Sequence, residues 1–263
     1  MPPGVCRRGG YCGAVRPDQI ALQLYTVRGL AATDLPGTLR AVADAGYQAV
    51  ELAGLPDIGS TQLAKLLRDH GLRPVAAHQS IDSLRRDIDG VVRGMRELEC
   101  PRAIVPWLPE ADRRSTDDVR RVAAELSGFA QTLAERGIRL GYHNHAFEFE
   151  PLDGTTVWDV LLAGLAPEVE LEIDVYWAAF AGRDAVAEIG AASDRVRLLH
   201  MKDLVAGPEP RDAPAGEGTL RFADIIAAGE AAGVEWYIAE QDEPEDPLAD
   251  IATAFRNLSA LAK

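Results

Sequence analysis

The stretch STDDVRRVAAELSGFAQTLAERGIRLGYH, residues 115–143, holds the pattern that decides the fold. Ser115 followed by Thr-Asp-Asp is a helix start, a capping hydroxyl with two acids on the positive end of the helix dipole. Apolar residues then recur at helical spacing as far as Arg136, and Gly137 stops the helix. Residues 138–143 form a short apolar run that reads as a strand and finishes on a histidine. The same unit recurs outward in both directions. Strand-like runs occupy residues 20–25, 48–52, 73–78 and 102–106 on one side, and 169–174, 196–200 and 235–240 on the other. Segments 35–45, 61–70, 84–99, 222–232 and 248–260 have helical spacing, and Gly46, Gly71 and Gly233 end helices as Gly137 does. The runs end at Tyr25, Glu51, His78, Pro106, Asn144, Asp174, His200 and Glu240, which lie 26 to 40 residues apart. Eight strand–helix units in about 250 residues predict an α/β protein, a single (β/α)8 TIM barrel with a parallel eight-stranded core over residues 19–263. An open doubly wound sheet would carry a glycine-rich phosphate turn after its first strand, and Leu24-Tyr-Thr-Val-Arg28 has no glycine.

Composition narrows the function classes. The 263 residues include 27 Lys and Arg against 41 Asp and Glu, a net charge of −14. That balance argues against a broad nucleic-acid-binding face, which needs clustered cations to neutralise phosphates. No run approaches the roughly 20 apolar residues of a membrane span, so no membrane partner is expected. Residues 1–18 hold arginines and two cysteines without an apolar core, and read as a disordered leader, not a secretory signal. Cys6, Cys12 and Cys100 are too few and too odd in number for a disulfide framework, which predicts a cytoplasmic location.

The strand ends of such a barrel form its active site, and here they are polar. Four of the five histidines, His78, His143, His145 and His200, fall at these ends, with Gln23, Glu51, Asp174, Lys202 and Glu240. Glu148, Asp174, His200 and Glu240 come from successive units five to eight. Three carboxylates and one imidazole converging on one mouth make an oxygen-rich site for a divalent metal, Mn²⁺ foremost, with Mg²⁺, Co²⁺, Zn²⁺ or Fe²⁺ as alternatives. A cation would relieve the repulsion between those carboxylates. His78 and Lys202 are candidate substrate groups, with Lys202 alternatively pairing with Asp174 or Asp203. Trp177 and Trp107 would wall a sugar-sized pocket. Gly216-Glu-Gly218 reads as a tight turn, not a phosphate cradle.

Several motifs together resemble the xylose-isomerase-like barrel superfamily, and within it the sugar phosphate isomerase/epimerase group. They are Leu22-Gln-Leu-Tyr-Thr-Val-Arg28, Tyr142-His-Asn-His-Ala-Phe-Glu148-Phe, Leu171-Glu-Ile-Asp174-Val-Tyr-Trp177, Leu199-His-Met-Lys-Asp203, Gly216-Glu-Gly218 and Ile238-Ala-Glu240. The resemblance implies a divalent metal on Glu148, Asp174, His200 and Glu240. Many relatives place the first glutamate in strand five, whereas this strand reads Leu140-Gly-Tyr-His143, so His143 or His145 could stand in for Glu148. It further implies isomerisation or epimerisation of a small sugar or keto-sugar through an enediolate, with Glu148 and Glu240 moving protons. Glu51, His78, His143, His145, Lys202 and Trp177 would bind the carbohydrate substrate. Loss of a β-substituent at the same site would make the protein a lyase or dehydratase on a keto-sugar, keto-glycoside or keto-inositol. A metal-dependent DNA-repair endonuclease would want more ligands and a basic face, and a non-catalytic sugar-binding barrel would tolerate loss of Glu240. Homo-oligomers are common among such barrels.

Overall fold

The computed structural model describes residues 15–261. Eight strands close into a parallel barrel: β1 (Ile20–Gln23), β2 (Ala49–Leu52), β3 (Arg73–His78), β4 (Arg102–Val105), β5 (Arg139–His143), β6 (Glu170–Asp174), β7 (Val196–Met201) and β8 (Trp236–Ala239). Each strand pairs with its sequence neighbours, and β1 closes the ring against β8 with Ile20 opposite Tyr237. The expected (β/α)8 barrel is therefore the fold. The helix of the opening stretch spans Thr116–Ala134, and the Ser115 hydroxyl accepts from the Asp118 N–H as the cap. Gly233 ends the Phe222–Ala232 helix with a left-handed backbone (φ 79°), a conformation that costs a side-chain-bearing residue more.

Alternation along each strand divides the side chains between two cores. The outward residues, such as Leu22, Val50, Leu140, Tyr142, Leu171 and Leu199, pack under the helices. The interior plug is small, built from Ala21, Ala49, Val75, Ala76, Ile104, Leu198 and Ile238. Beneath it the Arg102 guanidinium is almost fully buried and pairs with Glu170 (2.8 Å) and with Glu235, closing the N-terminal end of the barrel. Above it the inward positions turn polar. Strand register slips between Val50 and Glu51 and between Leu171 and Glu172, so an irregularity sits directly beneath two inward acids.

The expected leader falls mostly outside the described residues. Within them Val15 is buried and Pro17–Gln19 form a 3-10 turn into β1. Among the described residues no helix is long and apolar enough to cross a membrane. Cys100 is buried, which pushes its thiol up to about 12.

Candidate metal centre at the barrel mouth

Two tiers of polar side chains fill the C-terminal end of the barrel. The deeper tier is a ring from five strands: Glu51 on β2, His78 on β3, His143 on β5, Glu172 on β6 and His200 on β7. Glu172 Oε2 lies 3.0 Å from His143 Nδ1, 3.2 Å from His200 Nε2 and 3.4 Å from His78 Nε2. Glu51 Oε2 lies 2.7 Å from His200 Nε2 and 3.6 Å from His78 Nε2, and accepts a 2.8 Å hydrogen bond from Gln23. The other oxygens of the same carboxylates, Glu172 Oε1 and Glu51 Oε1, are buried without a hydrogen-bond partner among the described residues.

The upper tier surrounds Lys202. Its ammonium lies 2.7 Å from Asp242, 3.0 Å from Glu240 and 3.2 Å from Asp174 Oδ2, and is fully buried. Asp174 Oδ1 caps the Val175–Phe180 helix by accepting from Trp177 N–H, and Asp174 Oδ2 has no aligned hydrogen bond. His200 joins the tiers: its Nδ1 edge meets Glu240 Oε2 at 2.8 Å and its Nε2 edge faces the deeper ring. Of the two partners expected for Lys202, Asp174 is the one it meets. Asp203 instead accepts from the backbone N–H groups of Leu204, Gly216, Gly218 and Leu220. The Gly216-Glu-Gly218 turn exists to wrap that carboxylate, and a Cβ on Gly218 would sit 2.4 Å from Asp203 Oδ1.

The charges in both tiers are strongly coupled. Burial works against the charged form of Glu172 and Glu240. The His200 charge and imidazole hydrogen bonds on Glu172, and Lys202 and His200 beside Glu240, hold both well below the usual carboxylate range. Burial likewise opposes a charge on His78, but Glu51 and Glu172 raise it to about 9. Burial pushes Asp242 up, against the pull of Lys202. His145 is driven down to about 2 by burial and by the neighbouring His143 charge.

Glu148 stands apart from the residues it was expected to join. The 3-10 turn Phe147–Phe149 swings its side chain behind the barrel wall. There its carboxylate accepts from the Tyr142 hydroxyl (2.6 Å) and from His145 N–H (2.7 Å), and burial pushes it up to about 7. Tyr142 is an outward residue of β5, so Glu148 clasps the strand from outside and fixes the loop carrying His145. Asn144 completes that loop by accepting from Asp174 N–H. Among the described residues two donor groups can be assembled around one ion, His78, His143, Glu172 and His200, or Asp174, His200 and Glu240, and neither includes Glu148. Glu172 was absent from the sequence-based set. Gly141, the inward β5 residue beside it, faces Ile104: a Cβ there would lie 2.6 Å from Ile104 Cδ1.

An aromatic wall flanks the mouth. Trp177 packs on Phe180 (5.4 Å), Tyr176 (4.8 Å) and His145 (5.7 Å), and His145 stacks on Phe147. Trp107 is about half exposed and Phe180 nearly so. The unpartnered carboxylate oxygens, buried beside imidazoles that would become ligands on losing a proton, suit a divalent cation.

Comparison with known proteins agrees with this architecture. A family model described as xylose isomerase-like TIM barrel matches residues 39–260. No curated protein matches the sequence. Among solved structures, a sugar phosphate isomerase/epimerase from Parabacteroides distasonis is similar with a TM-score of 0.81 and 24% identity, over 93% of this chain and 99% of that one. The IolI protein with a bound zinc atom is similar with a TM-score of 0.71 and 16% identity, over 92% and 97% of the two chains. An L-ribulose 3-epimerase is similar with a TM-score of 0.69 and 16% identity, over 92% and 93%. At these identities the likeness is one of fold.

Proposed function

Because the chain belongs to the xylose isomerase-like TIM barrel family, we propose that it is a divalent-metal-dependent isomerase or epimerase of a small sugar or keto-sugar. The observation that carries this reading is the buried ring of carboxylates and imidazoles at the barrel mouth, with carboxylate oxygens left unpartnered. The ion would be held at His200, the residue common to both candidate donor groups. Bound there, it supplies Lewis-acid polarisation of a carbonyl.

The remaining chemistry belongs to the chain's own side chains. Glu240, kept ionised by Lys202 and His200, takes a proton from the carbon next to the carbonyl. Asp242 shares the Lys202 ammonium, is 29% exposed in its side chain, and passes that proton to and from solvent. Its higher proton affinity complements that of Glu240, two carboxyls pushed apart by their surroundings. Glu148 takes no part, since both its oxygens are engaged behind the wall. Trp177 and His145 offer a ring face and an unpartnered Nδ1 and indole N–H to a sugar.

The test is proton exchange. Metal-loaded protein incubated with a panel of ketoses and keto-sugars in deuterium oxide should place deuterium next to the carbonyl. Glu240→Gln should abolish it. An unsaturated product without isomer formation would move the assignment to a lyase, and absence of exchange across the panel would refute enolisation chemistry.

A further inference from the structure

We propose that this chain binds its metal in the deeper tier, through His78, His143, Glu172 and His200, with Glu240 acting as the hydrogen-bonding partner of His200 and not as a ligand. The proposal rests on the metal-dependent reading above and changes which residues do the holding. Three features of the geometry support it.

First, all three imidazole nitrogens converge on one oxygen, Glu172 Oε2, at 3.0, 3.2 and 3.4 Å, while Glu172 Oε1 is left without a partner. Hydrogen bonding alone would spread donors over both oxygens. Ligand atoms held tetrahedrally at 2.0–2.1 Å stand roughly 3.3 Å apart, which is about the separation of Glu172 Oε2 from each of the three nitrogens, and the whole set lies within 4.8 Å. Glu51 repeats the pattern, crowding Oε2 toward His200 and His78 and leaving Oε1 unpartnered.

Second, His200 is oriented as metal-bound histidines are. Its Nδ1–H donates to the Glu240 carboxylate at 2.8 Å, which leaves Nε2, on the side of the deeper ring, as the nitrogen that would ligate an ion on giving up its proton. Third, the upper carboxylates already have a cation. The Lys202 ammonium is within 3.2 Å of Asp174, Glu240 and Asp242 and sits among the groups a mouth metal would use. A three-imidazole, one-carboxylate set also shifts the preferred ion from Mn²⁺ or Mg²⁺ toward Zn²⁺, Co²⁺ or Fe²⁺.

The experiment is metal binding measured without substrate. Apo protein is titrated with Co²⁺ and Zn²⁺ by calorimetry, for the wild type and for Glu172→Gln, Glu240→Gln and Asp174→Asn. Circular dichroism and thermal midpoints verify each fold. The expected order is a loss above about 100-fold for Glu172→Gln, about 10- to 100-fold for Glu240→Gln, and within about threefold for Asp174→Asn. A Cu²⁺-substituted wild type, which needs no variant to fold, should show three coordinated nitrogens in its electron paramagnetic resonance spectrum. Abolition of binding by Asp174→Asn with Glu172→Gln unaffected, or a single coordinated nitrogen, would overturn the deep assignment and leave the metal-dependent function standing. Failure of the wild type to bind any of these ions would overturn both.

Discussion

Replacing Glu148 by glutamine separates a clasp from a catalyst. The glutamine amide is isosteric, its oxygen can accept from His145 N–H, and its NH2 can donate to the Tyr142 oxygen, so both contacts of 2.6 and 2.7 Å survive. What the substitution removes is a buried carboxyl whose proton affinity is raised from 4.5 to about 7 by desolvation. A carboxyl held more tightly protonated in the folded state contributes stability that is present below pH 4.5 and lost as the pH rises through 7. At about 1.4 kcal/mol per pH unit, that loss is about 3 kcal/mol by pH 8. Glu148→Gln abolishes the loss, so its stability relative to wild type should improve by about 3 kcal/mol between pH 4.5 and pH 8. In thermal unfolding this is a relative shift of roughly 6–12 °C. Urea titrations of both proteins at the two pH values, followed by tryptophan fluorescence, measure it directly. Metal content and proton exchange should be retained. An equal stability difference at both pH values would refute the buried-carboxyl argument, and loss of bound metal would return Glu148 to the ligand set.

Three further substitutions probe other parts of the molecule. Lys202→Met strips the ammonium from Glu240 and Asp174; it should cost about 3–5 kcal/mol of stability and move the acid limb of the kcat/KM profile to higher pH, read by denaturant titration and by rate against pH. Arg102→Met at the barrel floor leaves Glu170 short of a partner; thermal unfolding should record a loss of about 2–4 kcal/mol with metal content unchanged. Gly218→Ala forces a methyl within 2.4 Å of Asp203 and should lower stability by about 1–3 kcal/mol while exposing the 214–220 loop to limited proteolysis.

The barrel was legible in the sequence because its strands are apolar, its longer helices amphipathic and its helix stops glycine. Observed strands match the expected runs to within two residues at each end, and Arg73–His78 coincides with its run. The helices Val157–Gly164, Val175–Phe180 and Ala185–Ala191 were not legible. The first is apolar on nearly every side, and the others are six and seven residues long and lie within connections. Most of the polar strand ends do meet at the mouth, as period-two alternation requires. Glu172 shows the limit of reading only the last residue of each strand. An acid two positions before Asp174, inside an apolar run, shares its inward face, and that spacing was the available signal. The position of Glu148 had no such signal, because a single 3-10 turn decides which side of the wall it occupies.

The side-chain-free position on β5 has a consequence for how this chain could diverge or be redesigned. A side chain added at Gly141 meets the Cδ1 end of Ile104 at once, its Cβ lying 2.6 Å from that methyl. Trimming Ile104 alone opens a hole in a plug of seven aliphatic side chains, three of them alanines. The two positions are therefore coupled: β5 accepts a side chain at 141 only as the Ile104 side chain on β4 turns aside or is shortened. Glu172, entering from the adjacent strand, reaches the centre of the mouth without crossing Ile104.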